Sequence, residues 1–260
     1  MTILKELFEQ FNKLNVLIVG DVMIDSYLWG SVNRISPEAP VPIVSVNERE
    51  KRLGGAANVA LNIKAMGATP YLVSIIGDDA DGVEFENILK EEGIPTEGLV
   101  KSKDRITTIK HRIIASSQHI LRVDSEEDQA LNHTEKNALV DKVKSLISEC
   151  DVLIFEDYDK GVLTTASIQE ITQLAQDNNV PIVVDPKKRN FLTYTHVDCF
   201  KPNLKELKEG TKSDFNNKDI EAIKASVAKL KANQSHKGLM VTLSELGVYI
   251  DKEEKTHIPA

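Results

Sequence analysis

Residues 51–68, KRLGGAANVALNIKAMGA, place the glycine pair Gly54-Gly55 directly before a segment with helical periodicity. Apolar residues three and four positions apart predict a helix near 57–66, and Gly67 is suited to end it. Glycines let a ligand approach the backbone closely, and the first N–H groups of a helix are free to bind an anion. The same spacing also describes a tight loop entering a well-packed helix. Neither G-x-G-x-x-G nor G-x-x-x-x-G-K-[ST] occurs, which argues against a dinucleotide fold or a P-loop.

Short apolar runs alternate with helical patterns along the rest of the chain. The predicted strands lie near 16–19, 71–76, 152–155, 181–184, 197–200 and 239–243. Beside the helix near 57–66, helices are predicted near 79–91, 134–149, 164–178 and 216–232. This alternation predicts an α/β fold with a parallel sheet covered on both faces. Nearly every strand is followed by Asp, Asn, Lys or Gly, so one polar site is expected at the carboxyl ends of the strands.

Two segments, about 26–50 and 99–124, depart from this alternation. The first contains three prolines and a β-rich stretch, and the second alternates β-branched and polar residues from 105 onward. Both predict strands outside the main sheet that pair into a small β lid. With no flexible linker in sight, residues 1–260 are predicted to form one domain.

The net charge and the distribution of apolar residues limit which ligands and which cellular location are expected. The formal net charge of −8 argues against a nucleic acid or an anionic membrane surface as the main ligand. No stretch approaches the roughly 20 apolar residues of a membrane span. Residues 3–14 form an amphipathic pattern, which predicts a docking helix instead of a secretory signal. Together with two cysteines expected as reduced thiols, these features predict a cytoplasmic protein.

The glycine motif GGAANVA at 54–60 resembles the first signature of the ribokinase-like (PfkB) carbohydrate kinases. GDVMID at 20–25 and RISPEAPVP at 34–42 bring the resemblance closest to kinases that phosphorylate D-glycero-β-D-manno-heptose 7-phosphate at its anomeric oxygen. The motifs DYDKG, DPK and KPNLKE follow later in the expected order, so the resemblance covers about 10–260. It implies a three-layer α/β/α fold with a mostly parallel sheet and a β lid. It also implies transfer of the γ-phosphate of ATP, with Mg²⁺, in ADP-heptose synthesis for lipopolysaccharide. A kinase of the same fold acting on fructose, ribose or another phosphosugar is the nearest alternative.

The resemblance also implies an acceptor site. Its substrate-binding residues are expected to be Asp25, Arg34, Gly54, Gly55, Asn58, Lys160, Asp185 and Lys187. Asp25 would accept hydrogen bonds from sugar hydroxyls at the end of the first βα unit. Arg34 would clamp the sugar phosphate, with Arg105, Arg112 and Arg122 as weaker candidates. Taken alone, the aspartate also suits a turn, and the lysines suit solvated loops.

The implied nucleotide site lies later in the chain. Its expected residues are Asn203, Leu204, Lys205, Glu206, Thr242, Ser244 and Gly247. Asn203 and Glu206 form the Asn-x-x-Glu element, which would organise Mg²⁺ through water. The same spacing describes a helix capping box, and both interpretations can hold at once.

One part of the family pattern does not occur in residues 1–260. The second signature, Gly-Ala-Gly-Asp, supplies the anion hole and the catalytic base, and it is absent from this sequence. The base is therefore expected beyond Ala260, in a C-terminally incomplete kinase domain. The alternative is a non-catalytic homologue that binds sugar phosphate. Lid strands in this family often mediate dimers, so a homodimer through the lid is a further expectation.

Overall fold

The structure is a computed structural model and describes residues 2–260. A nine-stranded main sheet contains β1 (Asn15–Gly20), β4 (Thr69–Gly77), β5 (Leu99–Ser102), β8 (Val152–Glu156), β9 (Ile182–Asp185), β10 (Cys199–Phe200), β11 (Leu239–Thr242), β12 (Val248–Asp251) and β13 (Lys255–Ile258). A second sheet contains β2 (Val22–Ile35), β3 (Pro42–Gly55), β6 (Ile109–Ala115) and β7 (Gln118–Ser125). The helices are α1 (Thr2–Phe11), α2 (Ala56–Ala65), α3 (Ala80–Glu91), α4 (His133–Leu146), α5 (Thr165–Asp177), α6 (Leu204–Thr211) and α7 (Ile220–Gln234).

The main sheet follows the order β13-β12-β11-β10-β9-β8-β1-β4-β5. Neighbouring strands from β11 to β5 are parallel, and β12 alone is reversed, because it pairs antiparallel with both β11 and β13. Helices α2 and α3 pack on one face, and α4 to α7 pack on the other. The predicted α/β class with a mostly parallel sheet is confirmed.

The helices predicted from the sequence pattern are confirmed to within a few residues at each end, but one helix was not predicted. The α6 helix was not among the predicted helices, because its eight residues hold too few apolar positions to show a clear period. Asn203 caps it, as the Asn-x-x-Glu spacing allowed. The α1 helix is amphipathic as expected, but Leu4, Leu7 and Phe8 are exposed, so it does not dock within the chain. None of the helices described over 2–260 is long and apolar enough to cross a membrane.

The second sheet forms the predicted lid, in the order β3-β2-β6-β7. Its strands are longer than expected, because the lid starts at Val22 and returns at Gly55. Residues 99–102 do not belong to it; they form the edge strand of the main sheet beside β4. Asp25 therefore lies inside a lid strand, and the expectation that it ends the first βα unit is wrong.

One half of a main-sheet face is open within the described chain. Residues on this face are half-buried, whereas their neighbours along each strand are fully buried; the half-buried set is Ile154, Val183, Cys199, Met240 and Ile250. Helices α2 and α3 cover the same face only near β1, β4 and β5. The sheet therefore has helices on both faces near β1, β4 and β5, and helices on one face only near the remaining strands.

Candidate active site

Two cavities flank the polar residues that follow the main-sheet strands. The lid cavity, about 740 Å³, lies between the lid sheet and the start of α2. The α6 cavity, about 850 Å³, lies between the start of α6 and the loop after β11. The lid cavity is lined by Met23, Asp25, Tyr27, Glu50, Lys51, Arg52, Leu53, Gly54, Gly55, Asn58, Leu61, Ile88, Glu92, Lys110, Arg112, Arg122 and Tyr158. The α6 cavity is lined by Asn203, Leu204, Lys205, Lys208, Glu209, Asn217, Thr242, Ser244 and Glu245.

The glycine pair forms the junction between the lid and helix α2. Gly55 has φ 61° and ψ −138°, a conformation that favours glycine, and a Cβ there would meet the backbone carbonyl of Asp21. Ala56 N–H donates to that same carbonyl at 2.9 Å, which fixes the helix entry. A Cβ on Gly54 would lie 2.7 Å from Asp25 Oδ2. Gly54 therefore leaves room for the Asp25 carboxylate at the lid cavity.

Charged side chains of the lid gather on the face that lines this cavity. Strands β2, β3, β6 and β7 place Asp25 in register with Arg52 and Lys110, and Tyr27 in register with Glu50 and Arg112. Paired residues of neighbouring strands share a face, and residues two apart on one strand share it again. The signal for this site was therefore present as charged residues two positions apart in each strand. This pattern predicts a shared site only when it is known which strands pair with one another.

Arg112 holds the carboxylate of Asp25. Its Nη1 donates to Asp25 Oδ1 at 2.5 Å, and both side chains are about one-fifth exposed. The guanidinium groups of Arg112 and Arg52 lie 5.3 Å and 5.0 Å from the centre of the Tyr27 ring. Cations over an aromatic face are attracted to it, so Tyr27 helps to fix both arginines.

Four expected acceptor residues do not line the lid cavity: Arg34, Lys160, Asp185 and Lys187. Arg34 is exposed near the far end of β2, nine residues from Asp25, or about 30 Å at roughly 3.3 Å per residue. The Lys160 ammonium pairs instead with Glu126 at 2.8 Å, and Glu126 also binds Lys110 at 2.6 Å. Glu126, in the acidic segment 124–128, thus pairs with both of these lysines.

Asp21 anchors the DYDKG loop. It is buried, and its two oxygens accept backbone N–H bonds from Tyr158, Lys160 and Val162 at 2.8–3.2 Å. Burial, and then the neighbouring charge of Asp157, raise the pKa of Asp21 to about 6. The carboxylate of Asp157 is itself held by Asn190 and Tyr194. Both aspartates therefore order the loop and are already engaged.

A row of charged groups lies at the carboxyl ends of β8, β9 and β10. Glu156 pairs in register with Asp185, and Asp185 binds Lys201 at 2.7 Å. Glu156 is 5% exposed, and its carboxylate makes no hydrogen bond or ion pair among residues 2–260, although the charges of Lys201 and Lys187 lower its pKa in part. Burial and then the charge of Asp185 raise the pKa of Glu156 to about 8. Sequence reasoning missed Glu156, because one Glu after a strand looks like an ordinary loop residue.

The start of α6 combines a helix cap with an ion pair. Asn203 Oδ1 accepts from the Glu206 N–H at 2.9 Å, and Glu206 Oε2 accepts from the Asn203 N–H at 2.8 Å. Lys187 Nζ donates to Glu206 Oε1 at 2.5 Å. Burial lowers the pKa of Lys187, but the Glu206 carboxylate outweighs it and the net shift is upward.

This donor set fits a hydrated Mg²⁺ and does not fit direct coordination. The Asn203 and Glu206 side-chain oxygens already accept protein hydrogen bonds, yet each keeps a second lone pair for a metal-bound water. No group of three acidic, His or Cys side chains suited to a metal occurs in the described chain. When bound, Mg²⁺ would neutralise nucleotide phosphate charge at this position.

The predicted nucleotide residues largely meet in the α6 cavity. Asn203, Leu204, Lys205, Thr242 and Ser244 line it together. Glu206 does not line the cavity; it lies in the helix cap, where it is hydrogen-bonded to Asn203 and Lys187. Gly247 does not line the cavity; its φ is 87°, and a Cβ there would meet the carbonyl of Ile258 on strand β13.

The sheet order, the lid and the two cavities define a ribokinase-like fold. The chain belongs to the pfkB family of carbohydrate kinases, whose family model matches residues 13–260. Phosphofructokinase-2 from Escherichia coli, solved in a tetrameric inhibited form, superposes with a TM-score of 0.76 at 18% identity, covering 95% of this chain and 79% of that one. Arabidopsis thaliana ribokinase, solved with ribose and ATP, superposes with a TM-score of 0.68 at 15% identity, covering 95% and 78%.

Curated relatives are more similar in sequence. The bifunctional protein HldE of Wolinella succinogenes is 39% identical over 244 residues, and that of a Nitratiruptor species is 42% identical over 248 residues. These alignments cover 94% and 95% of this chain but 51% and 52% of the relatives. The chain thus spans about half the length of the curated relatives it matches.

Proposed function

We propose that this chain is the kinase portion of an ADP-heptose synthesis protein and takes D-glycero-β-D-manno-heptose 7-phosphate as its acceptor. The reaction is transfer of the ATP γ-phosphate to the anomeric oxygen. The observation that carries this is the pair of cavities, one at the glycine junction and one at α6, in a pfkB-family chain about 40% identical to HldE proteins.

The lid cavity is assigned to the acceptor. The Asp25 carboxylate and the Asn58 side chain supply hydrogen-bonding groups for sugar hydroxyls, and Gly54 gives them space. The cavity is lined by five basic and three acidic residues in a chain of formal net charge −8. This local excess of positive charge favours a phosphorylated sugar over a neutral one.

The α6 cavity is assigned to ATP. Thr242 and Ser244 offer hydroxyls, and Lys205 and Lys208 offer positive charge. Lys187 and Lys201 stand at the strand ends between the two assigned sites, paired with Glu206 and Asp185. Such cations stabilise the charge of a migrating phosphoryl group.

The base for the acceptor hydroxyl is assigned outside residues 1–260. Two of the aspartates at the site are held by other protein groups, Asp21 by backbone amides and Asp185 by Lys201, and Asp25 is assigned to the binding of sugar hydroxyls. The half-open sheet face supports the same proposal, since further helices would complete its cover. The sequence encoded after Ala260 tests this part directly.

Calorimetry tests the acceptor and nucleotide assignments. We expect heptose 7-phosphate to bind more tightly than fructose, ribose or fructose 6-phosphate, and Mg·ATP to bind independently of it. Asp25→Asn should weaken acceptor binding at least tenfold and leave ATP binding unchanged. Asp177→Asn, an exposed aspartate at the end of α5, is the matched control. A chain that binds no sugar phosphate, or one in which ATP competes with the sugar, would refute the proposal.

Turnover is a separate readout. ADP formation by residues 1–260 with heptose 7-phosphate is expected to be very slow, because the base lies elsewhere. Rapid turnover would contradict that placement. Glu156, buried and without a partner, would then be the first residue to replace.

A second copy of the chain is the proposed macromolecular partner. The lid face opposite the charged one carries a row of apolar residues in register, Leu28, Ile113 and Leu121. Strand β7 is exposed along nearly its whole length and leaves one edge unpaired. An edge strand with exposed apolar residues is a ready site for association, which favours a homodimer through the lid.

A further inference from the structure

Arg112 differs from the other cations of the lid cavity in its choice of partner. Arg52 pairs with Glu50, Arg122 with Asp124, and Lys110 with Glu126 and Asp124. Those carboxylates have no assigned ligand. Arg112 alone among them pairs with Asp25, the residue to which the proposed function gives the sugar hydroxyls.

Arg112 also keeps free donors. Its Nη1 donates to Asp25 at 2.5 Å and to the Lys110 carbonyl at 3.3 Å. A guanidinium has five N–H donors. Its Nε and Nη2 have no protein acceptor within residues 2–260, and a phosphate binds such a fork through two parallel hydrogen bonds. The Arg112 guanidinium lies 5.3 Å from the centre of the Tyr27 ring, and this attraction restrains the side chain before a ligand arrives.

Acceptor binding weakens the Asp25–Arg112 ion pair. When Asp25 turns toward sugar hydroxyls it keeps its charge, but the Arg112 guanidinium, about four-fifths buried, loses the hydrogen bond to that carboxylate. Leaving the N–H donors of a largely buried cation without an acceptor is costly. A phosphate on the acceptor supplies new charged acceptors for these donors, whereas a neutral sugar does not.

We propose that Arg112 is the specificity-determining residue for a phosphorylated acceptor, exchanging Asp25 for the acceptor phosphate as the sugar binds. This inference rests on the proposed function and names the part of the site that recognises the phosphate. It replaces the assignment of that role to Arg34, which lies about 30 Å along the strand.

The test compares two ligands on matched arginine variants. Calorimetry measures the affinities of heptose 7-phosphate and of the unphosphorylated heptose for the wild type, Arg112→Gln, Arg112→Lys and Arg34→Gln. Arg34 is an exposed arginine on β2 that does not line the cavity, so Arg34→Gln is the matched control. We expect Arg112→Gln to weaken heptose 7-phosphate binding at least thirtyfold and heptose binding less than threefold. Arg112→Lys should weaken binding of the phosphorylated ligand about tenfold, because a lysine keeps the positive charge beside Asp25 but cannot donate two parallel hydrogen bonds to a phosphate. Arg34→Gln should match the wild type.

Each other outcome is decisive. Equal losses for both ligands in the Arg112 variants would show that Arg112 only positions Asp25, and would overturn the inference. So would a selective loss in Arg34→Gln. If Arg112→Gln fails to fold, the Arg112→Lys variant decides the question: an unchanged preference for the phosphorylated ligand in that variant would also overturn the inference. A wild type that binds both ligands equally refutes the inference but leaves the sugar site intact; one that binds neither refutes the proposed function itself.

Discussion

At the scale of single residues, Glu156 is an acidic side chain in an environment that disfavours its charged form. It is buried at the end of a central strand, beside the like charge of Asp185, and no protein group hydrogen-bonds to it. Burying an ionised carboxylate without a partner destabilises the fold, so the side chain keeps its proton to about pH 8. Burial of Glu156 therefore lowers the free energy of unfolding, and destabilising residues of this kind are typical of ligand-binding sites.

Glu156 predicts a pH dependence of stability with a defined sign. Its folded-state pKa of about 8 exceeds the ordinary glutamate pKa of 4.5, so the folded state binds an extra proton between those pH values. Its contribution is therefore fully present below pH 4.5 and is lost by up to about 1.4 kcal/mol per pH unit as the pH rises toward 8. Glu156→Gln removes this loss. Relative to the wild type, its free energy of unfolding in urea should rise by about 2 kcal/mol or more between pH 5 and pH 8.5.

The control for this measurement is Glu91→Gln, an exposed glutamate at the end of α3. Asp21, whose pKa is also raised, titrates in every variant and cancels in the difference. A Glu156→Gln difference that stays constant from pH 5 to pH 8.5 would show that Glu156 is ionised in the folded protein.

At the scale of elements, the two adjacent glycines at the junction between β3 and α2 have different roles, one in folding and one in binding. Gly55 is required by the backbone, because its φ is positive and the Asp21 carbonyl occupies the space of a Cβ. Gly54 meets only side chains, those of Met23 and Asp25, and no positive φ constrains it. The first glycine thus serves the cavity and the second serves the helix entry.

Gly55→Ala and Gly54→Ala should therefore fail in different ways. Gly55→Ala should lower the free energy of unfolding by about 3 kcal/mol, from backbone strain and a clash that cannot relax. Gly54→Ala should cost about 1 kcal/mol, because side chains can shift, but it displaces the Asp25 carboxylate. Urea unfolding and calorimetry with heptose 7-phosphate check the pair. Equal stability losses, or full acceptor affinity in Gly54→Ala, would contradict this division.

The same scale shows what the sequence could and could not predict. The strand runs, the α2 helix and the Asn203 cap depend on residues within a few positions of one another, and local patterns reveal them. The Asp25–Arg112 pair joins residues 87 apart and depends on the parallel pairing of β2 with β6. Arg34 was assigned to the phosphate because it begins a motif near Asp25 in sequence. A strand of 14 residues carries it away from the cavity.

At the scale of the whole molecule, the lid has two faces with opposite character. The charged face lines the lid cavity, and the apolar row of Leu28, Ile113 and Leu121 lies on the opposite face. Leu121 is 53% exposed, and Ile120 and Val123 beside it are also exposed. A second lid packed on this face would bury these side chains and hold the strands that carry Arg112 and Asp25 in place. Dimerisation and acceptor binding are then linked through one sheet.

Leu121→Glu tests this link. A glutamate in the apolar row would place a charge without a partner in the dimer interface, so the variant should be monomeric where the wild type is dimeric in analytical ultracentrifugation. Leu192→Glu, at a position 61% exposed and outside the lid, should stay dimeric. The monomeric variant should bind heptose 7-phosphate at least fivefold more weakly, although Leu121 does not line the cavity. A wild type that sediments as a monomer at high micromolar concentration would refute the dimer. A monomeric Leu121→Glu with full acceptor affinity would leave the dimer standing and show that the lid holds its cavity without it.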